Sequence, residues 1–95
     1  MFRLELEGLK DFLVSWDPGA RAAYVKLAQG RVSETKQEGP GVYVDIGSGG
    51  KLLGLEILNP KSLKLTIMHK IARKYSDPRL KKFNPRALPR VFATS

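Results

Sequence analysis

Apolar and polar residues alternate at the start of the chain, with Phe2, Leu4 and Leu6 set against Arg3, Glu5 and Glu7 until Gly8. A period of two is that of a half-buried strand. Phe12, Val14 and Trp16 repeat it and end at Asp17-Pro18-Gly19. That triplet predicts a turn, because Asp accepts from nearby backbone N–H groups, Pro presets φ and Gly tolerates φ > 0. Residues 22–28 predict the next strand, with Ala23, Val25 and Leu27 on one side. The polar stretch around Val32-Ser33-Glu34 reads as a short edge strand or a loop, broken at Gly39-Pro40-Gly41. The strongest hairpin pattern flanks Gly47-Ser48-Gly49-Gly50, joining Val42–Ile46 to Lys51–Leu58. Val42, Val44 and Ile46 are expected on one face with Leu53, Leu55 and Ile57, and Tyr43, Asp45, Gly54 and Glu56 on the other.

After Asn59-Pro60 the period lengthens. Leu63, Ile67, Met68, Ile71, Ala72 and Tyr75 mark one face of a helix, opposite Ser62, Thr66, His69, Lys70 and Arg73. Asn59 is suited to the N-cap and Pro60 to the first helical position. Lys64 falls inside the apolar arc, and Leu63–Ile67 also alternates, so a strand followed by a shorter helix is the competing reading. Asp77-Pro78 and Asn84-Pro85 repeat the cap-then-proline signature, each opening a turn or two.

These elements predict an α+β fold: a four- or five-stranded antiparallel β-meander over residues 1–58, and a packed helix near 60–75 with a basic C-terminal arm in 59–95 of the same single domain. One helix covers one sheet face. Tyr24, Tyr43 and Trp16 then call for company on the other, and a chain this small buries only roughly 60–65% of its unfolded surface. Homo-oligomerisation through the second face is the expectation.

Composition narrows the function. The 95 residues hold no cysteine and one histidine, His69. Thiol chemistry, zinc ribbons and His-rich metal sites are excluded. No apolar run is long enough to span a membrane, and Met1–Glu5 is too charged for a signal peptide, so a cytoplasmic protein without a membrane role is expected. The formal charge of +8 is divided unevenly. Residues 1–58 carry seven basic and eight acidic side chains, a net of −1. Residues 59–95 carry ten basic side chains and one acid, Asp77, a net of +9. Such asymmetry points to a polyanionic partner.

Trp16-Asp17-Pro18, Tyr24-Val25-Lys26-Leu27, Gly41-Val42-Tyr43-Val44-Asp45 and Gly54-Leu55-Glu56-Ile57-Leu58 occur in the order of a known pattern. Over about residues 14–58 the chain resembles the small prokaryotic domain-of-unknown-function family 2283, and the carrying residues are Trp16, Asp17, Pro18, Tyr24, Asp45, Gly54 and Glu56. Arg21 and Ala23 stand where the family usually has an acid and a leucine, and Gly47-Ser48-Gly49-Gly50 replaces its acidic turn. The resemblance implies an interaction protein, antitoxin-like, and leaves the basic region uncovered.

Several residues offer chemistry. Asp45 and Glu56, joined by Asp17, suit a divalent-cation or acid/base site of a metal-assisted hydrolase. The alternative makes Asp17 a turn residue and places the other two on a solvated face, hydrogen-bonded or paired with Lys26 or Lys51. His69, near Lys70 and Arg73, suits a phosphate contact better than a general base. The glycine-rich turn lacks the Lys-Ser/Thr of a phosphate loop. The ten cations Lys61, Lys64, Lys70, Arg73, Lys74, Arg79, Lys81, Lys82, Arg86 and Arg90 suit phosphate neutralisation, with Tyr75, Phe83 and Phe92 interleaved for stacking. The expectation is therefore a binding module and not an enzyme, with no cofactor or metal. Its core makes self or hetero protein contacts and its basic arm meets nucleic-acid backbone. The competing expectation is an antitoxin-like module whose arm wraps an acidic protein partner.

Overall fold

The computed structural model describes residues 2–3, 12–60 and 63–84. Six antiparallel strands form one sheet: β1 (Phe2–Arg3), β2 (Leu13–Asp17), β3 (Ala22–Lys26), β4 (Glu34–Gly39), β5 (Val42–Ile46) and β6 (Leu52–Leu58). Among the described residues one helix, α1 (Leu65–Lys74), and a 3-10 turn at Pro78–Lys81 follow. The α+β architecture with one packed helix is as expected, with five strands of useful length and a two-residue edge.

The spatial order is β1-β2-β3-β6-β5-β4, so the chain makes two sequential runs that meet where β3 pairs with β6. Composition explains this order. β6 reads Leu-Leu-Gly-Leu-Glu-Ile-Leu and is mostly buried, which suits a central strand with a neighbour on each side. In β4, Glu34, Thr35, Lys36 and Gln37 are all exposed, which suits an edge that pairs only with β5. The polar stretch after Gly30 thus becomes a full edge strand, longer than its weak pattern suggests.

Strand register sets the faces. Val14, Val25, Leu55 and Val44 form one cross-strand row, and Trp16, Ala23, Ile57 and Val42 the next. Except for partly buried Trp16, these side chains are completely enclosed. Met68, Ile71 and Ala72 of α1 close over them, with Leu63, Leu80 and Phe83 from the flanking segments. Phe12 and Phe83 meet edge to face at 4.8 Å between ring centroids. Trp16 therefore packs on the helix side, whereas Tyr24 and Tyr43 take the other face as expected.

Three local expectations are corrected. In the β5–β6 hairpin a bulge after Asp45 pairs Ile46 with Leu52, so Leu52 enters the core and Leu53 is buried against Gly30 and Gly47. In the β2–β3 turn the left-handed residue is Arg21 (φ 50°), while Asp17 caps the turn as predicted. The helix does not begin at Asn59-Pro60. Asn59 adopts φ 49° at the end of β6, and α1 starts only after Lys64, without a side-chain cap. A charged side chain cannot enter the arc that faces the core, so the helix begins past it. Residues 63–64 are not a strand, but the shorter helix of the competing reading is correct.

Candidate functional site

Both sheet faces carry organised chemistry. On the face away from α1, Ser15, Tyr24, Glu56, Tyr43 and Gln37 form one cross-strand row, and Leu13, Lys26, Gly54, Asp45 and Thr35 the next. Tyr24 lies across Gly54: a Cβ built there would stand 2.1 Å from the Tyr24 hydroxyl oxygen. The missing side chain lets the ring cross β6 and donate its hydroxyl to Asp45 Oδ2 at 2.8 Å. Thr35 donates to Asp45 Oδ1 at 2.7 Å. Asp45, on β5, thereby ties the interior strand β3, across β6, to the edge strand β4. Burial, the hydrogen bond to Asp45 and the negative charges of Asp45 and Glu56 push the Tyr24 phenol up to about 12.

Toward the β2–β3 turn this face dips into a cleft of about 310 Å³. Ser15, Ala20 and Ala22 line it with small groups and Tyr24 and Leu58 with larger ones, while Trp16 and Ala23, whose side chains turn to the covered face, border it. Asp17 and Glu56 supply its carboxylates. Asp17 Oδ1 accepts from the N–H groups of Gly19 and Ala20 at 3.0 and 3.3 Å, which makes it the turn residue of the structural alternative. The suggested pairing of Asp45 or Glu56 with Lys26 or Lys51 is not formed; two hydroxyls serve Asp45 instead. Among the described residues no three His, Cys, Asp or Glu side chains gather as a metal cluster.

The matching family can now be set against this geometry. The family described as "Protein of unknown function (DUF2283)" matches residues 13–61, just over half the chain. The chain belongs to this family. Its match runs from β2 through β6 and stops short of α1, so the outward face with its Tyr24–Asp45 bond lies inside the DUF2283 region. Of the seven residues that carry the resemblance, Asp17, Tyr24 and Glu56 line the cleft, Trp16 borders it, and Asp45 and Gly54 hold the Tyr24 ring in place. Pro18 lies in the turn beside them. No curated protein and no solved structure matches the chain.

On the helix side, the cations assigned to phosphate fall into groups. Lys74 Nζ donates to both carboxylate oxygens of Glu38, at 2.8 and 3.0 Å. Lys70 Nζ donates to the Glu38 backbone carbonyl at 3.1 Å, and Tyr75 donates its hydroxyl to Glu38 Oε2. Glu38 is only 6% exposed, although it sits on the edge strand. A bulge between Gln37 and Gly39 turns it toward α1, a re-aiming for which bulges suit well. Burial alone would raise its carboxyl. The bonds from Lys74 and Tyr75 and the charges of Lys74 and Lys70 prevail, holding it below 4.5. Burial and the bond to Glu38 push Tyr75 well above the usual tyrosine range.

Arg79 is also engaged. It pairs with Asp77 at 2.7 Å and donates to the Leu27 carbonyl at 3.2 Å, linking the 3-10 turn to the end of β3. The hydrogen bond from Arg79 holds the Asp77 carboxyl below its ordinary value, against the opposing effect of burial. Lys64, Arg73, Lys81 and Lys82 are exposed and form no ion pair with a described carboxylate. His69 is exposed beside Lys70. Lys61, Arg86 and Arg90, with the rest of the basic arm, lie outside the described residues.

The Glu38 clasp escapes sequence reading because its four residues span 38 to 75 and nothing in the spacing joins them. Tyr24 over Gly54 had a signal. A glycine inside an otherwise apolar strand marks a place where another group comes close.

Proposed function

We propose that the protein is a binding module, not an enzyme, that meets nucleic-acid backbone through its cationic helical side and other proteins through its outward sheet face. One observation carries the reading. Lys64, Arg73, Lys81 and Lys82 are exposed without a carboxylate partner among the described residues, in a segment whose net charge is +9. Polyphosphate binding needs cations whose charge the protein has not already neutralised. Lys70, Lys74 and Arg79 hold the fold together, so Arg73, Lys81 and Lys82 are the contacts to test. Arg73 also lies in the last turn of α1, where a cation suits the negative end of the helix dipole.

Fluorescence anisotropy with a labelled generic DNA duplex tests this reading. Log affinity should fall linearly with log salt, and each phosphate contact removed by Arg73→Ala, Lys81→Ala or Lys82→Ala should reduce the slope by about 0.9. A triple variant with unchanged affinity and slope would refute it. The outward face is read separately by molar mass in light scattering, since self-contact through that face gives a mass above the monomer.

A further inference from the structure

Six of the described side chains are carboxylates, and their partners differ sharply. Glu34 lies 3.8 Å from Lys36, Glu38 holds Lys74 and Lys70, and Asp77 holds Arg79. Asp45 accepts from two hydroxyls. Asp17 and Glu56 alone in this set have neither a cation nor a side-chain donor, in a chain with 17 lysines and arginines. Both line the same cleft. Among the described residues no lysine or arginine lines it with them.

We propose that this cleft receives the guanidinium of an arginine presented by a partner polypeptide. The inference rests on the protein-contact half of the function proposed above and names the chemistry of that partner. Charge complementarity selects a cation, because Glu56 and Asp17 both line the cleft, are exposed, and meet no cation or side-chain donor among the described residues. Shape selects arginine over lysine. A planar fork can reach two carboxylates at once and lie flat against an aromatic ring. Tyr24 supplies that ring, held by its bond to Asp45. Ala22 leaves room beneath, and the cleft lies at the small end of the range for ligand pockets. Tyr24 also stays neutral through the physiological range, so the ring can donate its hydroxyl to Asp45 while the cation is bound.

Trp16, the only tryptophan in the chain, lies in the strand that borders the cleft, between Ser15 and Asp17, and its fluorescence is the readout. The probe is the blocked tripeptide acetyl-Gly-Arg-Gly-amide, titrated into the full chain beside the neutral citrulline tripeptide and the lysine tripeptide. The arginine peptide should give a saturable change in the millimolar range. Citrulline should bind about tenfold more weakly and lysine between the two. Glu56→Gln should cost about tenfold, as should Asp17→Asn, which keeps the acceptor that caps the turn. Unchanged melting of both variants shows that the fold is intact. Equal binding of arginine and citrulline, or an unaltered titration of Glu56→Gln, would overturn the proposal. So would a fluorescence change that follows protein concentration, with a mass above the monomer, because the occupant would then be a second copy. Duplex binding by Glu56→Gln separates the two readings: it should match the wild type, since the phosphate contacts lie on the other side of the sheet.

Discussion

The two faces of the sheet solve different problems with the same strands. The covered face is a grid of valine, leucine, isoleucine and alanine closed by α1, and nothing in it depends on the direction of a bond. Non-directional burial, roughly 25 cal/mol per Å² of apolar surface, holds it together. On the outward face, Tyr24 crosses a glycine to reach a carboxylate that Thr35 also reaches. There each group has one place to be. The first face tolerates a change of shape if volume is kept, whereas the second tolerates almost none at Gly54 and much at its rim. The surface that burial leaves polar and precisely placed is therefore the one available for recognition.

Substitutions can break this contrast in order of size. Leu55→Ala on the covered face removes a completely enclosed side chain from a central strand and should cost about 2–5 kcal/mol in urea unfolding. Leu13→Ala, on the opposite face and 38% exposed, should stay within about 0.5 kcal/mol. Equal costs would show that both faces are buried in solution.

Glu38→Ala should cost about 1.5–3 kcal/mol, because it deprives Lys74 and Tyr75 of their acceptor at once. The folded chain holds the Glu38 proton less tightly than the unfolded one. Its contribution is thus complete above about pH 4.5 and is lost as the pH falls through the folded value. Urea midpoints measured between pH 6 and pH 3 should converge for wild type and Glu38→Gln at the acid end, on the order of the single-group effect. Parallel curves would show that the clasp does not form.

Gly54→Ala should cost about 1–3 kcal/mol by forcing the Tyr24 ring aside. The same substitution in a Tyr24→Ala background should cost much less, a coupling that a double-mutant cycle measures. Tyr24→Phe should cost the least, about 0.5–1.5 kcal/mol. Here the folded state holds the proton more tightly, so the contribution is complete below pH 10 and fades as the pH rises toward about 12. Tyr24→Phe should remove that part of the alkaline loss.

Much of the fold was legible because it is local. Alternation in Val42–Ile46 and Lys51–Leu58, with four turn residues between, specifies a hairpin without knowledge of anything else. The 3.6-residue spacing of Met68, Ile71 and Ala72 specifies which helix face is buried. Asp17 before Pro18 and Asp77 before Pro78 specify capped turns, and both carboxylates accept backbone N–H groups as expected. The site was half legible. Asp45, Gly54 and Tyr24 stood out as motif residues, but their meeting depends on β3 lying beside β6, a pairing of segments about thirty residues apart.

The sequence by itself determined the strands other than β4, the helix face, the turns and the division of charge into a near-neutral strand region and a cationic remainder, because each depends on neighbours a few positions away. Tertiary structure alone decided the strand order, the burial of Glu38 and which cations remain available. Those outcomes depend on which strand is apolar enough to take the centre, and on what a bulge in the edge strand then brings against α1. A lysine in the chain is simply a charge; whether it is spent inside the fold or offered to a partner is settled only when Glu38 arrives beside Lys74 and Lys70 and leaves Arg73 exposed.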